Sequence, residues 1–168
     1  EPEINLFSDT QTRPTAAMRK AMAEAEVGDD QSGRDPTVNA LCERVAKLLG
    51  KPSAVFLPSG TMCNQIGLLV HCSRGDEVIC EETSHMINYE AGGGAAISGS
   101  MFRCLVGERG MFTAEQTERA IRPPSRSSPR SRLVVVEQST NVGGGAVWPI
   151  AELNAVASVA RRHGLAMH

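Results

Sequence analysis

The stretch Arg132-Leu133-Val134-Val135-Val136-Glu137 places four apolar residues between two charged ones. A strand with one wet face alternates apolar and polar residues, whereas a continuous apolar run reads as a strand covered on both faces. Helix signals bracket it. Upstream, Thr113 and Gln116 form a capping box for a helix that ends before Pro123. Downstream, a helix from about Ile150 to His163 carries Leu153, Val156, Ala157 and Ala160 on one face, and Gly164 closes it. Leu165-Ala166-Met167-His168 then opens another buried strand. Strand, helix and strand in succession call for parallel pairing with right-handed crossovers. The expected class is α/β, a parallel-rich sheet with helices on both faces.

The same alternation extends toward the N-terminus. Pro14 and Thr15 start a helix with Met18, Ala21, Met22 and Ala25 at helical spacing. Asp35-Pro36 reads as N-cap and first helical residue, with Val38, Leu41, Val45 and Leu48 as the buried stripe and Gly50 as the stop. Ala54 to Leu57 is a short apolar strand, ended by Pro58. The helix after it turns Met62, Ile66, Leu69 and Val70 inward and ends at Arg74-Gly75. Val78 to Cys80 and Phe102 to Val106 are further strands. Between them lie a brief helix from His85 to Tyr89 and a flexible Gly92-Gly93-Gly94.

Composition narrows the function. The 168 residues carry 17 Lys plus Arg against 19 Asp plus Glu, a net charge of −2, which argues against nucleic-acid binding through bulk charge. No segment approaches the ~20 apolar residues of a membrane helix. The N-terminal Glu1-Pro2-Glu3 lacks the basic start of a signal peptide. Five Cys, odd in number and without a CxxC, fit reduced thiols in a cytoplasmic protein. His71, His85, His163 and His168 show no metal-ligand spacing with each other or with the Cys, so no metal site is expected.

Two places could carry chemistry. Ala54-Val55-Phe56-Leu57 feeds a helix through Pro58-Ser59-Gly60-Thr61, a small-residue turn that leaves backbone N–H groups free for a phosphate, with the Thr61 hydroxyl beside them. Taken alone, the segment is better explained by a Ser59 N-cap with Gly60 as spacer, and it matches neither a P-loop nor GxGxxG. His85 sits just past a strand end, where it could act as a base or lie against an aromatic ligand, and a surface histidine explains it equally well. The Arg-rich, Ser/Pro-rich loop from Arg122 to Arg132 reads as a solvated connection. Asn141, in the Glu137–Gly145 segment, could line a site or make a turn.

Taken together the motifs resemble one family, the low-specificity L-threonine aldolases. These are pyridoxal-phosphate enzymes of the aspartate-aminotransferase fold type, within the β-eliminating lyase and threonine aldolase superfamily. The resemblance rests on Ser8-Asp9-Thr10 with Thr12-Arg13-Pro14, Val27-Gly28-Asp29-Asp30, and Asp35-Pro36-Thr37-Val38-Asn39. It continues through Leu57-Pro58-Ser59-Gly60-Thr61-Met62 with Asn64-Gln65, Arg74-Gly75-Asp76-Glu77-Val78-Ile79, and His85 followed by Tyr89-Glu90-Ala91-Gly92-Gly93. Arg130-Ser131-Arg132-Leu133 and the Gly143-Gly144 turn before Pro149 complete it, so it runs end to end in order.

The resemblance implies a phosphate site at Ser59, Gly60 and Thr61. It makes His85 the ring-stacking residue and a candidate base for the substrate β-hydroxyl, and Ser8 a ligand of the substrate carboxylate. The implied reaction is retro-aldol cleavage of a β-hydroxy-α-amino acid to glycine and an aldehyde, with the cofactor as electron sink. β-Elimination, or another reaction at the amino-acid Cα, is the alternative, and a non-catalytic phosphate-binding fragment is a third reading. The family is typically a tetramer, a dimer of dimers with sites shared between subunits, so a homo-oligomer is expected.

Three departures shape the expectation. Ser32 stands where the family commonly has a tyrosine contributed by the neighbouring subunit, and Ser127 where it commonly has a histidine. Both changes imply an altered pocket for the substrate side chain. The family's Asp-Gly-Ala-Arg segment and its cofactor-bearing lysine would lie beyond His168, since Lys20, Lys47 and Lys51 are the only lysines. Residues 1–168 are therefore expected to be an incomplete large domain with an N-terminal arm of about 1–14. A missing C-terminal polypeptide would complete it, and the chain alone is expected to be inactive.

Overall fold

Residues 4–168 are described by a computed structural model, and the chain divides into two compact units, Glu1–Phe56 and Leu57–His168. In the first unit a single 3-10 turn, Asp9–Gln11, is capped by Ser8. Helix α1 spans Ala16–Glu24, with the Thr15 side chain accepting from the Met18 N–H. Helix α2 spans Pro36–Leu49. Its start follows the sequence: the Asp35 carboxylate accepts from the Val38 N–H at 2.9 Å and the Gly28 N–H at 3.0 Å, Pro36 needs no donor partner, and Gly50 ends the helix in the left-handed region. These two amides hold the Asp35 carboxyl below the ordinary carboxylate range.

The expected stripe on α2 is not buried. Val38 and Val45 are half-buried, Leu41 is exposed, and Leu48 is 80% exposed, while Ala46 is buried. Nor is Ala54–Leu57 a strand. Val55 and Phe56 are 78% and 53% exposed, and no ladder includes them among the described residues. β-Branched and aromatic residues favour an extended chain, but a strand exists only where a neighbour accepts its ladder.

The second unit holds the sheet. Helix α3 (Gly60–His71) leads to β1 (Glu77–Glu81), then the short α4 (His85–Asn88) and a wide helical turn at Gly94–Ser98. Strand β2 (Met101–Leu105), α5 (Ala114–Ala120), β3 (Ser131–Val134), α6 (Ile150–Arg162) and β4 (Ala166–Met167) follow. The four strands are parallel in the order β2-β1-β3-β4, so the class read from the sequence holds.

Both faces of the sheet are covered, as the Leu133–Val136 run required. One face packs Ile79 and Val134 with Phe112, Ala120, Trp148, Val156 and Ala160 from α5, α6 and their approaches. The other packs Val78, Cys80, Leu133 and Val135 on Leu68 of α3 and Met86. The inward face of α3 is Gln65 and Leu68, whereas Met62, Leu69 and Val70 are exposed. This helix is apolar nearly all round, so periodicity alone could not choose its face.

At the edge where the strands begin, Glu77 is buried, accepting from Arg122 Nε at 2.7 Å and the Ser131 hydroxyl at 3.0 Å. Asp76 beside it accepts two bonds from Arg130, at 3.0 and 2.8 Å. The Arg122–Arg132 loop is thus pinned at both ends by carboxylates.

Candidate active site

The chain reverses direction across the sheet at one place. The connection after β1 runs outward to β2, and the next strand, β3, lies on the other side of β1. In open α/β sheets the crevice beyond the carboxyl ends of two such strands is the favoured ligand site. His85, four residues past β1, starts α4 there, and Glu137 leaves β3 there. The His85 backbone N–H donates to Glu137 Oε2 at 2.7 Å, joining the two strand ends. Glu137 Oε1 accepts from the Asn141 N–H at 2.5 Å, so Asn141 makes the turn that its sequence allowed.

The His85 side chain is 39% exposed and its ring lies 5.6 Å from that of Tyr89, tilted by 38°. Its Nδ1 is 2.9 Å from Oε1 of Glu90, whose side chain is fully buried. Glu90 also accepts from Asn64 Nδ2 at 2.6 Å and Gln65 Nε2 at 2.7 Å, both on α3. Asn64 Oδ1 in turn lies 3.1 Å from Nε2 of His168. The partial burial of its ring, then the nearby His71, keep His168 below the ordinary histidine range.

The same helix begins at the Ser59-Gly60-Thr61 turn. Ser59 is the N-cap, its hydroxyl accepting from the Met62 N–H at 3.1 Å. Thr61 and the Gly60 and Thr61 N–H groups have no protein partner among the described residues. A Cβ placed on Gly60 would meet nothing within 4 Å, so open space stands beside those donors. Both readings of the segment are therefore compatible: Ser59 caps the helix, and the remaining donors stay available to an anion.

The remaining expected site residues are described within their own units. Ser8 accepts from the Thr10 N–H at 3.2 Å, and Ser32 donates to the Asp29 carbonyl at 3.2 Å, both in the first unit. Ser127 is exposed on the loop before β3, at the edge where the strands begin, and so at the opposite edge from His85. His163 Nε2 lies 2.5 Å from Glu118 Oε1.

Sequence reading missed Glu90, Asn64 and Glu137 as parts of the site. Glu137 had a visible signal, a charge directly after a doubly buried strand. Glu90 had none beyond its place in the Tyr89–Gly93 motif, since only the fold brings α3 beneath it. Among the described residues no cluster could hold a metal ion, and no helix is long and apolar enough to cross a membrane.

Comparison with known proteins gives a consistent picture. The chain is 43% identical over 169 aligned residues to low-specificity L-threonine aldolase 1 of Arabidopsis thaliana, covering 98% of this chain and 47% of that protein. To the low specificity L-threonine aldolase of Escherichia coli K12 it is 41% identical, covering 98% of this chain and 49% of that one. The chain thus spans about half the length of the curated relatives it matches. A threonine aldolase structure from Leishmania major superposes with a TM-score of 0.75 at 22% identity, over 90% of this chain and 43% of that one, which supports the fold. The beta-eliminating lyase family model matches residues 5–168, nearly the whole sequence, and the chain belongs to that family.

Proposed function

We propose that the whole protein is a pyridoxal-phosphate-dependent aldolase that cleaves a β-hydroxy-α-amino acid to glycine and an aldehyde. The observation that carries this reading is the span of α3. One end of the helix offers free N–H donors and Thr61, and one turn further on Asn64 and Gln65 lead through Glu90 to His85. A phosphate and an attached aromatic ring need two such stations on a rigid mount. With no basic side chain in the first turn, backbone donors and the helix dipole carry the phosphate charge.

When bound, the cofactor supplies the electron sink for cleavage at the amino-acid Cα. The chain's own residues do the rest. Ser59, Gly60 and Thr61 would hold the phosphate, and His85 would face the ring. Its Nε2, the nitrogen not facing Glu90, accepts the β-hydroxyl proton. Ser8 is proposed to bind the substrate carboxylate. Ser32, with a short hydroxyl where relatives carry a ring, leaves room for a bulkier substrate side chain when supplied from a neighbouring subunit. Ser127 would likewise have to come from a second copy, given its place at the far edge of the sheet. The lysine that anchors the cofactor is proposed to lie beyond residue 168, and the assembly to be a cytoplasmic homotetramer. The odd number of cysteines, with no CxxC among them, supports a reducing compartment.

The family model's own description, beta-eliminating lyase, favours one second reading, β-elimination at the same site. Incubating the full-length protein and cofactor with L-threonine, L-allo-threonine and a bulkier β-hydroxy analogue separates the two. Glycine and an aldehyde in equal amounts are expected. A keto acid with ammonia would establish elimination instead, and no product from any of the three would reject the aldolase reading.

A further inference from the structure

Glu90 is a fully buried carboxylate that no Lys or Arg reaches among the described residues. A buried charge persists only where its lone pairs are met by donors. As a carboxylate it can only accept, so each neighbour must turn an N–H toward it. Asn64 and Gln65 do so with their amide nitrogens, and His85 faces it with Nδ1. Gln65 leaves its own Oε1 buried without a partner to keep that orientation. Asn64, with its nitrogen committed, has its oxygen left as an acceptor and meets His168 Nε2.

We infer that Glu90 is a positioning residue that fixes the proton of His85 on Nδ1, leaving Nε2 as a free acceptor, and through Asn64 fixes the proton of His168 on Nε2. One carboxylate thus sets donor direction along a chain of four side chains, from His85 at the start of α4, through Glu90 and across α3 at Asn64, to His168 just past β4. A neutral imidazole donates at one nitrogen and accepts at the other, so the partner of Nδ1 decides what Nε2 can do. The part played by Nε2 toward a substrate hydroxyl rests on the aldolase reading above, whereas the tautomers do not.

The test is solid-state ¹⁵N NMR of the full-length protein carrying ¹⁵N-labelled histidine, with His85 assigned by its loss in His85→Asn. Wild-type His85 is expected to show a protonated Nδ1 and an unprotonated Nε2. In Glu90→Gln the side chain offers one acceptor and one donor group in place of two acceptors, and the His85 signals are expected to move toward the other tautomer. That variant should lose about 100-fold in kcat, the lower end of what a positioned general base contributes, with KM nearly unchanged. A wild-type His85 protonated on Nε2 overturns the inference, and this reading stands whether or not the variant folds. So does a folded Glu90→Gln whose His85 signals are unaltered, because its kcat loss would then be structural. Wild-type protonation on Nδ1 in a protein that releases no glycine supports the positioning role and rejects the aldolase reading alone.

Discussion

Gly94 illustrates how much can hang on a missing side chain. The sequence Gly92-Gly93-Gly94 reads as a flexible run, yet Gly94 is buried, and a Cβ there would collide with the Phe102 ring and meet Leu68 Cδ1 at 3.2 Å. Glycine serves here by letting the Gly94–Ser98 turn close onto α3 and β2, a turn that the Ser98 hydroxyl secures by donating to the Gly94 carbonyl at 2.6 Å. Gly94→Ala should lower stability by about 2 kcal/mol through overpacking, read from the shift of a urea unfolding midpoint. His85 was legible in the sequence because its position after a strand end is a rule of the fold class. Its partner Glu90, five residues on, was not, because nothing local marks it, and the Asn64 and Gln65 contacts that orient it span 26 and 25 residues and exist only once α3 lies on the sheet.

Helix boundaries were the most legible features at the element scale, because caps are written in local residues. The Thr113–Gln116 box forms with both reciprocal bonds, and the Asp35, Ser59 and Thr15 caps all accept from the third residue beyond. Which face a helix buries was less legible, as α2 and α3 show, because that depends on what the rest of the fold brings against it. The Asp35 cap carries a pH signature. Its carboxyl is held low by the Val38 and Gly28 amides, so its stabilisation is complete above the unfolded value of about 4 and is lost as pH falls through the folded one. Asp35→Asn keeps a capping oxygen but cannot ionise. The variant should be less stable than wild type at pH 7, with the difference shrinking below about pH 4 in urea titrations at each pH.

For the molecule as a whole, burial is divided unevenly between the two units. The second unit contains both core clusters, whereas the first, over its described residues, buries only Asp35 and Ala46. Helices without an apolar contact are marginal in water at lengths like those of α1 and α2. A peptide of residues 1–56 should therefore show little helix by circular dichroism and no cooperative urea transition. The architecture of the second unit was readable from the alternation of strand and helix, but the strand order was not, since order is settled by packing between distant segments. The sheet also has a consequence for handling the protein. Neither β2 nor β4 has a neighbour on its outer side among the described residues, so each presents a row of unsatisfied main-chain groups. Such borders recruit other copies. In preparations of this stretch by itself, loss to insoluble aggregates should grow with concentration, and a segment that docks along either border should act as its solubiliser.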